Sequence, residues 1–142
     1  TLTLAVPAGN PGGVTGLADL ARPELRIAIC EPKVPCGAAS ERLLEAAGVI
    51  AAPDTLTTDV KEATSLVSLG EADAALIYRT DAAAEGNAVE TIEVPEADDV
   101  VNDYPVAILV DAPNPDGAHV VIDAITGAPG QAILADAGFL EP

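Results

Sequence analysis

Aromatic side chains are nearly missing from this 142-residue chain: it has two tyrosines, one phenylalanine and no tryptophan. Any interior must therefore be built from Ala, Val, Leu and Ile. At 49% hydrophobic content there is enough apolar material for the core of one compact domain. Positive charge is just as scarce. Six Lys and Arg stand against 23 Asp and Glu, a net charge of −17. Six cations cannot form a patch that tracks a phosphate backbone, which excludes nucleic acid as a partner. No apolar run approaches the roughly 20 residues that a membrane-spanning helix needs. Internal repeats and low-complexity tails are missing too. Two cysteines and the distant His119 make no recognisable metal-ligand set. The acids, Glu24, Glu41, Glu45, Asp98 and Asp99 among them, read as a solvated surface.

What is present alternates as α/β folds do. Leu2–Val6 reads as a strand, followed by a Gly/Pro loop and a short helix near Thr15–Ala21. Strand Arg26–Cys30 leads to helix Pro35–Ala47, with Leu43, Leu44 and Ala47 on its apolar face and Gly48 at its end. Helix Asp59–Leu69 is followed by strand Ala74–Tyr78 and a short helix capped by Thr80 and stopped by Gly86. Val89–Val94 and Tyr104–Val110 are expected as strands. Two helices finish the chain, one after Asn114 and one opening at Pro129 with Gly138 as its stop.

Two helix starts carry the chemistry. In Arg26–Ala47, Pro35 suits the first helical turn, where its missing N–H costs nothing. The amides of Cys36 and Gly37 then have no acceptor inside the helix, and small residues leave them accessible. In Thr57–Leu69, Thr58 is the expected N-cap, which puts Val60 in the first turn with another unpaired amide. Gly70 is placed to close that helix. Tyr78 ends the strand that follows. Ligands of open α/β sheets gather where strands end and helices begin. Free amides at the positive end of a helix dipole suit an anion. An ordinary strand–loop–helix unit with solvated amides is the other reading of the same residues. In so acidic a chain, fixed neutral donors must hold an anion, because the overall field cannot.

At these residues the chain resembles the periplasmic molybdate-binding proteins, the substrate-capturing components of molybdate ABC transporters. The matching segments are LTLAVPAGNP (2–11), GLADLARPELRIAICEPKVPCG (16–37), DVKEATSLVSLGEADAALIYRTDA (59–82), YPVAIL (104–109) and PGQAILADAGF (129–139). They follow in the family's order and spacing across nearly all the chain. The resemblance implies a type II periplasmic-binding-protein-like lobe, a mixed sheet flanked by helices. It makes residues 1–142 a single α/β domain, the second lobe of a two-lobe protein. The crossover strands would lie near 2–6 and 104–110, with C-terminal helices over 115–137. The N-terminal lobe is then missing, and the last helix has apolar surface meant for it.

Carried over residue by residue, the oxyanion contacts fall on Cys36 N–H, Val60 N–H and Tyr78 O–H. These touch the oxyanion's oxygens, with no direct metal ligand. The implied ligand is molybdate and also tungstate, with no further cofactor. The implied partners are the membrane permease of an ABC transporter and either the missing lobe or a second copy of the chain. The implied location is periplasmic or extracytoplasmic, by lipid anchor in a Gram-positive source. Such an oxidising location favours a Cys30–Cys36 disulfide over two buried thiols.

Three other readings remain. A sulfate-type oxyanion would use the same donors. The effector-binding lobe of a transcription regulator shares the architecture, although no DNA-binding segment is present. A cysteine hydrolase would take Cys36 as nucleophile and His119 as base, but no nucleophile-elbow pattern supports catalysis.

Overall fold

Leu2-Thr3-Leu4-Ala5-Val6 alternates large and small side chains, and a strand sends alternate residues to opposite faces. In the computed structural model, which describes residues 1–140, that run is an interior strand of the sheet, paired on both sides. Among the described residues the strands are β1 (Leu2–Pro7), β2 (Ile27–Cys30), β3 (Thr55–Thr57), β4 (Ala74–Tyr78) and β5 (Val89–Ile92). They form one mixed sheet in the order β3-β2-β4-β1-β5. β2 runs parallel to β3 and β4, whereas β1 is antiparallel to β4 and β5. The helices are α1 (Pro35–Ala47), α2 (Val60–Ser68), α3 (Arg79–Ala84), α4 (Pro115–Thr126) and α5 (Ala128–Asp136).

The two faces of the sheet are covered differently. Leu2, Leu4, Val6, Ile27, Ile29 and Leu76 pack on one face against Ala39 and Leu43 of α1 and a 3-10 turn, Leu17–Ala21. The other face is lined by Ala5, Ala28, Ala75 and Ile77, against Ala63 and Val67 of α2 and Ala82 of α3. Its three alanines let the helices sit close to the sheet. Leu43 is fully buried, and truncating such a leucine to alanine costs about 2–5 kcal/mol.

The chain divides into two compact units, Thr1–Asn102 and the residues from Asp103 on. The single domain expected over 1–142 extends to Glu141 and Pro142, which lie outside the described residues. Among the described residues, the buried core draws its members from the first hundred. In the second unit α4 and α5 pack on each other, and Tyr104 meets Phe139 edge to face at 5.7 Å. Residues 104–110, expected as a crossover strand, carry no strand. A strand is its hydrogen-bonded ladder as much as its side-chain pattern. This stretch forms no ladder, and Tyr104, Val106, Leu109 and Val110 are exposed.

Smaller differences concern ends. α3 is preceded by Tyr78 and has no side-chain cap, so Thr80 does not cap it. The short β3 has no counterpart in the sequence pattern, because Thr-Leu-Thr is too brief to show alternation. Helix α1 spans the residues expected of it and ends at Gly48 with φ +66°, the left-handed conformation glycine adopts freely.

Candidate functional site

β2, β3 and β4 are parallel neighbours, so their carboxyl ends lie along one edge of the sheet. Cys30 pairs with Thr57, and Ala28 pairs with both Thr55 and Ala75, so Tyr78 lies one residue beyond the level of Cys30. Adjacent strands are about 4.8 Å apart, which separates the ends of β3 and β4 by ~10 Å. β2 leads into α1, β3 into α2, and β4 ends on Tyr78. Of the three residues expected from the sequence, Tyr78 thus ends one of these neighbouring strands, while Cys36 and Val60 open the helices that follow the other two.

The start of α1 is held firmly. Cys30, the last residue of β2, is joined by a disulfide to Cys36 in the helix's first turn, with the two Cα atoms 5.7 Å apart. Glu31 N–H donates to Thr57 O at 2.8 Å, extending the β2–β3 ladder by one bond. Val34 N–H donates to Glu31 O at 3.1 Å, which turns the chain. Gly37 is then pressed against the end of β2. A Cβ there would overlap the Glu31 carbonyl and come within 2.8 Å of Cys30 O, so no other residue fits. The helix's first backbone bond runs from Ala38 N–H to Val34 O. The amides of Cys36 and Gly37 precede it and have no intrahelical acceptor. Ser40 Oγ donates to Cys36 O at 2.8 Å, which steadies the same turn.

α2 begins by a different device from the one expected. Its N-cap is Asp59, not Thr58. Asp59 Oδ1 accepts from Glu62 N–H at 2.9 Å, while Glu62 Oε2 accepts from Thr58 N–H at 2.9 Å. This reciprocal arrangement is a variant of the capping box. A carboxylate satisfies the amide more strongly than the Thr58 hydroxyl could, because the bond is charge-assisted. The shift makes Val60 the first helical residue, so its amide still has no acceptor inside the helix. The buried Thr57 hydroxyl donates to Asp59 O at 3.0 Å and fixes the strand-to-helix turn.

Tyr78 is half-buried, and its hydroxyl accepts a hydrogen bond from Asn102 Nδ2 at 2.7 Å. Asn102 Oδ1 in turn accepts from Arg42 Nη2, on α1, at 3.0 Å. Sequence reasoning missed both partners. Asn102 follows Tyr78 by 24 residues and lies outside any helix or strand, so no spacing rule connects them.

Charge near this edge is mixed. Burial pushes the Asp81 carboxyl, in the first turn of α3, above its ordinary value, and Lys61 on α2 partly offsets that. Arg79 lies 3.9 Å from Asp98 in an exposed pair. No cluster of His, Cys, Asp and Glu suited to a metal ion occurs among the described residues. His119 is exposed on α4. The donors expected along this edge are therefore neutral: backbone amides at two helix starts and a phenol. Such donors fit an anion whose charge the protein does not have to match with cations.

Residues 1–140 match the family described as bacterial extracellular solute-binding protein. The molybdate-binding protein ModA of Mycobacterium tuberculosis is 37% identical over 142 residues, covering 100% of this chain and 54% of its own length. The chain thus spans about half the length of the curated relatives it matches. The substrate-binding domain of a putative molybdenum ABC transporter from Clostridium difficile superposes with TM-score 0.77 at 23% identity. That match covers 99% of this chain and 63% of the other. The Azotobacter vinelandii periplasmic molybdate-binding protein gives TM-score 0.66 at 23% identity, covering 99% and 65%. At these identities the structures speak for the fold.

Proposed function

The chain belongs to the bacterial extracellular solute-binding protein family, and from that membership we propose that it is one lobe of an oxyanion receptor. Its ligand is molybdate, and tungstate by the same geometry. The receptor binds without chemistry, outside the cytoplasm, and delivers its ligand to a membrane permease. The contacts in this lobe are Cys36 N–H, Val60 N–H and Tyr78 O–H. The remaining donors come from a second lobe or from a second copy of the chain.

One observation carries this reading: three adjacent parallel strand ends hold neutral donors in a protein of net charge −17. Long-range attraction cannot gather an anion here, so affinity has to come from fixed dipoles at short range. The relatives named for molybdate support the choice of oxyanion. The hydrolase alternative loses its nucleophile, because the Cys36 sulfur is bonded to Cys30 and is not a thiolate.

Calorimetry of the two-lobed protein with molybdate and with sulfate tests the proposal. Molybdate is expected to bind at least tenfold more tightly, because cavity size separates the two tetrahedral anions. Tyr78→Phe should weaken molybdate by about 1.5–3 kcal/mol, roughly tenfold to a hundredfold, with little loss of stability. Equal affinity for sulfate would reassign the ligand. Unchanged affinity in the tyrosine variant would return Tyr78 to a packing role.

A further inference from the structure

A donor at a helix start has two requirements that conflict. Its amide must stay unpaired to receive an anion, yet a first turn with unpaired amides frays unless something holds it. A capping side chain holds the turn by taking up one of those amides. α1 follows Val34 and has no side-chain cap. The α2 cap, Asp59, takes the Glu62 amide and leaves that of Val60 alone. Both turns are held instead through a carbonyl. Ser40 Oγ donates to Cys36 O at 2.8 Å, and Thr64 Oγ1 donates to Val60 O at 2.8 Å. Each hydroxyl stands four residues after a residue whose amide is proposed as a donor, and both Ser40 and Thr64 are buried.

The placement is selective. Ser68 donates to Ser65 O and Thr126 to Ile122 O, toward the far ends of α2 and α4. α4 is held at its start by Asn114, whose side chain accepts from Gly117 N–H. Among the described residues, a hydroxyl meets a first-turn carbonyl only in α1 and α2, the helices that follow β2 and β3 onto the candidate edge. A hydroxyl bonded to the carbonyl four residues back bends a helix slightly and does not stabilise it. Helix stability therefore gives no reason for one at both starts.

We infer that Ser40 and Thr64 are positioning residues for the Cys36 and Val60 amides: each buried hydroxyl tethers a first turn through its carbonyl and leaves the amide free for an oxyanion. This inference deepens the reading of those two amides as ligand donors and rests on it. Burial makes the tethering bond electrostatically stronger than it would be in water. A turn that is ordered before the ligand arrives spares the binding step the entropy of ordering it. The benefit falls on affinity rather than on the melting point.

The test uses the two-lobed protein, where the complete set of donors is expected to give tight molybdate binding. Ser40→Ala and Thr64→Val each remove a hydroxyl without adding bulk, and Thr64→Ser keeps one. Without ligand, backbone relaxation by NMR should show a more mobile Cys36 amide in Ser40→Ala and a more mobile Val60 amide in Thr64→Val. Each variant should leave the other turn as it was. Calorimetry should show molybdate affinity falling about fivefold in each, the worth of one ordinary hydrogen bond. Thr64→Ser should match the parent in both readings. A lower melting temperature with unchanged amide mobility and affinity would make the hydroxyls merely structural and overturn the inference. A more mobile amide with unchanged affinity would overturn it too. The two turns are judged separately, so a variant that fails to fold leaves the other helix to decide. If the unsubstituted protein binds no molybdate, the ligand reading has failed and takes this inference with it, a failure seen before any variant is made.

Discussion

Asp73 shows how much one carboxylate can organise. It accepts from Arg26 Nη2 and from Arg26 Nε at 3.1 Å, and its Oδ2 also takes the Arg26 backbone N–H at 2.8 Å. The Arg26 guanidinium foremost, then that amide, hold its carboxyl below the ordinary range despite partial burial. Asp19 is lowered as well, by hydrogen bonds from the Thr15 amide and hydroxyl. A depressed acid contributes stability that is whole above its unfolded-state pKa, near 4, and is lost as pH falls through the folded value. Asp73→Asn should therefore cost about 1–2 kcal/mol at neutral pH, and its deficit against the parent should shrink as pH drops below about 4. Thermal melts of both proteins across that range check this. A deficit independent of pH would show that packing, not charge, is what Asp73 contributes. Arg26 and Asp73 are 47 residues apart, and nothing in the sequence pairs them.

Among the elements, α1 was the most legible and α2 nearly so. Pro35 and Gly48 mark both ends of α1 by backbone physics alone. The cap of α2 was misplaced by one residue because Thr58 and Asp59 are both good N-caps, and only the Glu62 side chain decides between them. The disulfide locks the join between β2 and α1. Closing so short a loop stabilises by about 2–3 kcal/mol in the chain-entropy view. Denatured but unreduced protein should show no titratable thiol. Reduction should lower the melting temperature and loosen the Cys36 turn, seen as faster hydrogen exchange of the first α1 amides. Two free thiols before reduction would count against the bridge. Unchanged exchange after reduction would mean that Gly37 packing alone holds the turn.

At the scale of the molecule, the proposed site takes three donors from this chain. Desolvating a dianion is costly, and a full shell in a dry cleft is needed to offset it. On the proposed reading about three further charge-assisted bonds, at 1.5–3 kcal/mol each, come from outside this chain, so by itself it should fall short of a complete site by roughly 5–9 kcal/mol. That is three to six decades, so the isolated chain is expected to bind molybdate in the millimolar range. Calorimetry on the chain alone checks this. Micromolar binding would mean that one lobe carries the site nearly unaided.

The sequence by itself determined most of the alternation of strands and helices, both ends of α1 and the scarcity of cationic donors. Those properties are local: proline geometry, capping chemistry and short apolar runs act within a few residues. It also placed Cys36, Val60 and Tyr78 at element ends. Only the tertiary structure decided that β3, β2 and β4 are adjacent and parallel, and so bring those ends to one edge. It alone joined Arg42 to Asn102 and Asn102 to Tyr78, across separations of 60 and 24 residues. It also left 104–110 without a ladder, although that segment has the composition of a strand. Strand pairing and side-chain hydrogen bonds depend on which surfaces meet, and a pattern read along one chain does not contain that information.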